Sequence, residues 1–84
     1  MPSQAEIIAD EIVASSTNLS QDELGPIAVQ IMKDQLQNNG FVEGKANNLV
    51  ADLKAKVVKI LEAKKKFSVE QILATEDALR DWHH

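Results

Sequence analysis

Residues 46–65, ANNLVADLKAKVVKILEAKK, decide the fold class of this 84-residue chain. Apolar side chains recur there at spacings of three and four, which places them on one face of a helix. The stripe ends near Ala63, because Lys64 occupies the next position on that face. No stretch of the chain shows the sustained alternation of a strand. The pattern therefore predicts a helix over 46–65 that packs through Ala46, Leu49, Val50, Leu53, Val57, Ile60 and Leu61.

Capping signals predict the other helices. Ser3, Ser20 and Ser68 are each followed, three positions later, by Glu or Gln. In this pattern the serine hydroxyl accepts a hydrogen bond from the later backbone N–H, and the Glu or Gln side chain accepts one from the N–H of the serine. Each signal precedes an apolar pattern with helical spacing. Together they predict helices over about 4–14, 21–39 and 69–83.

Interruptions are predicted in two of these helices. Gly25-Pro26 falls near the end of a first turn, so a short separate turn is expected before a main helix that starts at Pro26. Glu76 falls inside the apolar face of the last helix, and Thr75 is a plausible new cap, so a break is expected there. Gly40 should take a left-handed conformation and end the second helix, with Phe41 packing back onto it.

Composition restricts the fold class and the compartment. Hydrophobic residues are 44% and charged residues 26%, a balance typical of a globular protein rather than a disordered one. The length suits one domain. We expect a single all-α domain over 1–84, a small antiparallel bundle of four helices, or five if the last one breaks, with no sheet. The apolar runs are too short to span a membrane and the N-terminal stretch is acidic, so a cytoplasmic protein without membrane contact is expected.

The side chains offer little for catalysis or cofactors. There is no Cys and no Tyr, which excludes a disulfide scaffold, an iron–sulfur cluster and a cysteine nucleophile. The only His residues are His83 and His84 at the C-terminus, where they form an inert tail or, with Asp81, a metal site. No phosphate-binding glycine loop or calcium loop is present. We therefore expect no enzymatic activity, no cofactor and no small-molecule substrate.

Charge is segregated along the chain although its net value is only −4. Residues 45–66 hold seven Lys and two acids, whereas acids predominate on both sides. The lysines either pair with acids of neighbouring helices or form a patch that binds nucleic acid. The single Arg and the lack of aromatic residues among the lysines weigh against nucleic acid. The residues of such a patch would be Lys45, Lys54, Lys56, Lys59, Lys64, Lys65 and Lys66.

The second helix suggests how the protein works. Its apolar residues cover more than half of its circumference, which is typical of a helix that is central in its bundle or contacts another chain. Gln35 lies inside that arc, where it either reaches a loop carbonyl or fixes the register of an interface. We expect a non-enzymatic adaptor or regulator that binds another protein or itself as a homodimer. Its interface would include Ile7, Val29, Met32, Gln35, Leu36 and Trp82.

Overall fold

The predicted all-α fold of four helices is confirmed. The computed structural model describes residues 2–16, 19–40 and 48–82, and within these ranges it contains helices and no strand. The predicted helix ends lie within a few residues of the observed ones. The predicted start at 46 and the predicted end at 83 lie outside the described residues. The helices are α1 (Gln4–Ser15), α2 (Gln21–Asn38), α3 (Asn48–Lys64) and α4 (Val69–Asp81).

Two of the three predicted capping boxes are confirmed. The Oγ of Ser3 accepts from the backbone N of Glu6 at 3.2 Å, and the Oγ of Ser68 accepts from the N of Gln71, also at 3.2 Å. The box predicted at Ser20 is wrong, because that side chain makes no capping hydrogen bond. The backbone carbonyl of Ser20 accepts from the first turn of α2 instead.

Both predicted interruptions are wrong. Helix α2 runs through Gly25-Pro26 without a separate turn. Helix α4 runs through Glu76, and Thr75 is buried inside it. The Oγ1 of Thr75 donates to the carbonyl of Gln71 at 2.8 Å, so the hydroxyl is satisfied by its own helix and caps nothing.

The end of α2 is as predicted. Gly40 has a φ of 84°, in the left-handed region that suits glycine, and its N–H donates to the carbonyl of Gln37 at 3.0 Å. The predicted contact of Phe41 lies outside the described residues.

The main helix pairs are not neighbours in the sequence. Helix α2 packs most extensively against α4, and α1 against α3, while α1–α2 and α3–α4 make smaller contacts. Gly25 permits the α2–α4 approach, since a Cβ at this position would lie 2.8 Å from the Cβ of Ala78. One apolar core results, to which every helix contributes: Ala5, Ile8, Ala9, Ile12, Leu24, Ala28, Met32, Leu36, Val50, Val57, Val58, Leu61, Ile72 and Leu79.

No helix in the described ranges combines the length and the apolar character that crossing a bilayer requires.

Candidate protein-binding surface

Helix α2 does not offer the surface that its sequence suggests. Met32 is fully buried and Leu36 is 7% exposed, both within the core of the single chain. Val29 is half-buried against the same core. The reason is that α2 contacts both α1 and α4, so two neighbours cover its wide apolar arc. Placing Met32 and Leu36 at an interface therefore needs correction, whereas Ile7, on α1, is 38% exposed.

The two polar candidates of the predicted interface are engaged with their own chain. The Nε2 of Gln35 donates to the Oε1 of Glu11 at 2.6 Å, which joins α2 to α1. Trp82 is half-buried and packs against the core. The Nζ of Lys54 lies 5.0 Å from the centre of its ring and donates to its carbonyl oxygen at 2.7 Å. Both residues thus hold helices of one chain together.

The lysines of the predicted patch differ in their contacts and exposure. Lys45 lies outside the described residues. Lys54 contacts Trp82, and burial lowers the pKa of its ammonium by removing water from it. Lys64 pairs with Asp10 of α1 at 2.9 Å. The remaining members are exposed: Lys56, Lys59, Lys65 and Lys66.

No metal site is expected from the sequence, and the two histidines of the C-terminal alternative, His83 and His84, lie outside the described residues. Asp81 is 3.8 Å from Arg80, measured from Oδ1 to Nε. In the part of the chain that the structure describes, no group of three or more His, Cys, Asp and Glu side chains could hold a metal ion.

A groove runs along the contact between α3 and α4, and no pattern in the sequence predicted it. Its larger part has a volume of 570 Å³ and its smaller part 360 Å³. Glu62 and Glu76 line both parts, so the two parts are adjacent. We call this surface the α3–α4 face. The larger part is also lined by Ala51, Lys54, Ala55, Val58, Lys59, Leu79 and Arg80, and the smaller part by Phe67, Val69, Ile72 and Leu73.

Two large apolar side chains stand out at one end of this face. Val69 is 71% exposed and Leu73 is 51% exposed. They lie one turn apart on α4, in line with Glu76 and Arg80, so the four form one outer row. The signal is present in the sequence, as spacings of three and four, but the spacing alone does not tell which apolar residues of α4 are buried and which are exposed.

A further depression of 500 Å³ lies where the first turns of α1 and α3 meet the end of α2. Leu49, on its rim, is 73% exposed. The Nε2 of Gln4 is buried there, and no hydrogen-bond partner for it is found among the described residues. Leu49 lies on the α1 side of α3 and is therefore separate from the α3–α4 face.

Comparison with models of protein families, with curated protein sequences and with solved structures finds no match to this chain.

Proposed function

We propose that this protein is a non-enzymatic helical module that acts by binding another protein chain, with the α3–α4 face as its docking surface. The observation that carries the proposal is the exposure of Val69 and Leu73 side by side at the end of a groove. Single exposed apolar residues are common on protein surfaces and need no explanation. Two large ones in one row beside a groove are typical of a surface that a partner covers.

Covering the exposed apolar side chains of this face would make a substantial contribution to the free energy of binding. Fully burying a valine or leucine side chain stabilises a complex by about 1.5–3 kcal/mol. Since Val69 and Leu73 keep more than half of their surface exposed, covering both contributes roughly 2–3 kcal/mol. Ala51 and Ala55 are small and leave room in the groove for the side chains of a partner helix.

The residue types support a role without catalysis. The chain has no Cys or Tyr, and its two His residues are the last two positions. The serines at the N-caps of α1 and α4 are used for capping. The polar contacts described above join helices to one another, as structural contacts do.

The proposal is tested by capturing partners from an extract of the native cells with the full chain as bait. The variant V69E/L73E places two charges on the α3–α4 face, and L49E is the matched control, because Leu49 is as exposed but lies elsewhere. We expect wild type and L49E to retain the same specific partner, itself included, and V69E/L73E to lose it. Circular dichroism and thermal unfolding establish that all three are folded. Equal retention by all three chains would refute the proposal.

Nucleic-acid binding is the alternative, and four exposed lysines favour it: Lys56, Lys59, Lys65 and Lys66. Binding of this kind falls steeply with salt. The test is retention of the protein on DNA and RNA at low salt. Neutralising Lys56, Lys59 and Lys66 together should then abolish the retention, and V69E/L73E should leave it unchanged. This result would favour nucleic-acid binding over the proposed function.

A further inference from the structure

We propose that the occupant of the α3–α4 face is a second copy of this chain, related to the first by a two-fold axis that crosses the face. This inference rests on the proposed function and names its partner. A two-fold interface uses the same surface of both copies, so the surface must be complementary to itself. The α3–α4 face meets this condition in shape and in charge.

The two ends of the face are complementary in shape. Helices α3 and α4 run antiparallel, because Lys54, early in α3, contacts Trp82 at the end of α4. Ala51 and Ala55 therefore lie at one end of the groove, where the side chains are small. Val69 and Leu73 lie at the other end and project as large apolar side chains. A two-fold rotation about the middle of the groove brings the projecting end of each copy onto the small-residue end of the other.

The middle of the face is complementary in charge. Lys59 and Glu62 are both exposed and lie one turn apart on α3. With the axis between them, Lys59 of each copy faces Glu62 of the other, so the pair forms twice. Such pairs select the partner and the register, while the apolar contacts supply most of the affinity.

The other charges of the face contribute less to this selection. Arg80 already pairs with Asp77 at 2.8 Å, and Lys54 with the carbonyl of Trp82. Glu76 is exposed beside Glu62, and the exposed Lys65 and Lys66 follow the end of α3. Lys59 and Glu62, one turn apart near the middle of the face, are therefore the pair on which the proposed register depends.

The test is a charge exchange followed by sedimentation equilibrium. In K59E every facing pair is acid against acid, and in E62K every facing pair is base against base. Each variant alone should therefore lose the dimer at concentrations where the wild type has twice its monomer mass of 9.3 kDa. Mixed in equal amounts, they should recover it, because both facing pairs then have opposite charges. A structural role of either residue within one chain would not produce this recovery.

Two further variants locate the interface. V69E/L73E should abolish the dimer, and L49E should leave it intact. A wild type that stays monomeric up to millimolar concentration would overturn the inference, as would the absence of recovery in the mixture. If that monomer still captures another protein, and V69E/L73E loses it, the proposed function stands and only the identity of the partner is wrong. Wild-type behaviour of V69E/L73E in both assays would refute both.

Discussion

Replacing Gly25 with alanine sets two opposing effects of similar size against each other. A helix interior favours alanine over glycine by roughly 0.5–1 kcal/mol, and this gain is an upper bound here because the ring of Pro26 crowds the Cβ of a preceding helical residue. In this structure the added Cβ would lie 2.8 Å from the Cβ of Ala78 and 3.3 Å from the carbonyl oxygen of Ala74. The first distance is too short for two carbon atoms, and the second involves backbone, which cannot rotate away. Inserting a methyl group into such a contact costs about 1–3 kcal/mol.

The steric cost should therefore exceed the gain in helix propensity. We expect G25A to lower the free energy of unfolding by about 1 kcal/mol, with an upper limit of ~2.5 kcal/mol. For a domain of this size a loss of about 1 kcal/mol lowers Tm by roughly 4–8 °C. Urea and thermal unfolding followed by circular dichroism at 222 nm, the usual helix signal, measure both quantities. A matched control is A63G at an exposed position of α3, which measures the helix-propensity term without a packing change.

The same contact predicts a coupling between the two positions. In G25A/A78G the methyl group of Ala78 is absent, so part of the steric cost disappears. The double variant should be more stable than the sum of the single effects by at least about 0.5 kcal/mol. G25A could instead raise Tm by about as much as A63G lowers it. That result would show that α2 and α4 are not as close as the structure places them, and it would refute the prediction.

Three further outcomes follow from individual contacts, each measured by urea unfolding. S68A should cost about 1 kcal/mol because it removes a formed capping box, whereas S20A should cost clearly less; equal losses would contradict the observed caps. D10N should cost under about 1 kcal/mol, since the pair of Asp10 with Lys64 is exposed, and the cost should shrink as salt is added. Burial lowers the pKa of Lys54 below its ordinary 10.5, so the folded chain binds fewer protons there than the unfolded chain. The stability of wild type relative to K54M should therefore rise as pH approaches 10.5, and a fall would contradict the assignment.

Local signals account for most of what the sequence predicts well. The serine caps at Ser3 and Ser68 and the left-handed Gly40 involve residues within a few positions of one another. The stripe of α3 also predicts its buried side, since Val50, Val57 and Leu61 are in the core. Leu49 is the exception, at 73% exposure, because it lies at the edge of the stripe, in the first turn of α3.

The pairing of helices is what local patterns leave undetermined. The wide apolar arc of α2 is compatible with two covering helices or with one covering helix and a partner chain. Which of these two arrangements forms depends on how closely α4 approaches α2. That approach depends on Gly25 facing Ala74 and Ala78, which are about 50 positions away in the sequence. The partner of Gln35 likewise depends on which helices pack together. Its place inside the arc indicates an inter-helix contact, yet only the packing of α1 on α2 identifies Glu11 as the partner.

The exposed apolar side chains of α4 support the proposed interface, whereas Met32 and Leu36 of α2 are buried and do not. A helix that serves only its own core should bury its large apolar residues and expose its polar ones. Here a threonine, Thr75, occupies a fully buried position, whereas Val69 and Leu73 lie on the outside. The hydroxyl of Thr75 is satisfied within the helix, so burying it is tolerable, but nothing within the described core uses the two exposed side chains. Of the four large apolar side chains that are exposed among the described residues, two thus lie side by side on the α3–α4 face, whereas Ile7 and Leu49 lie elsewhere. The proposed partner would gain the burial of these two side chains, which the core does not use.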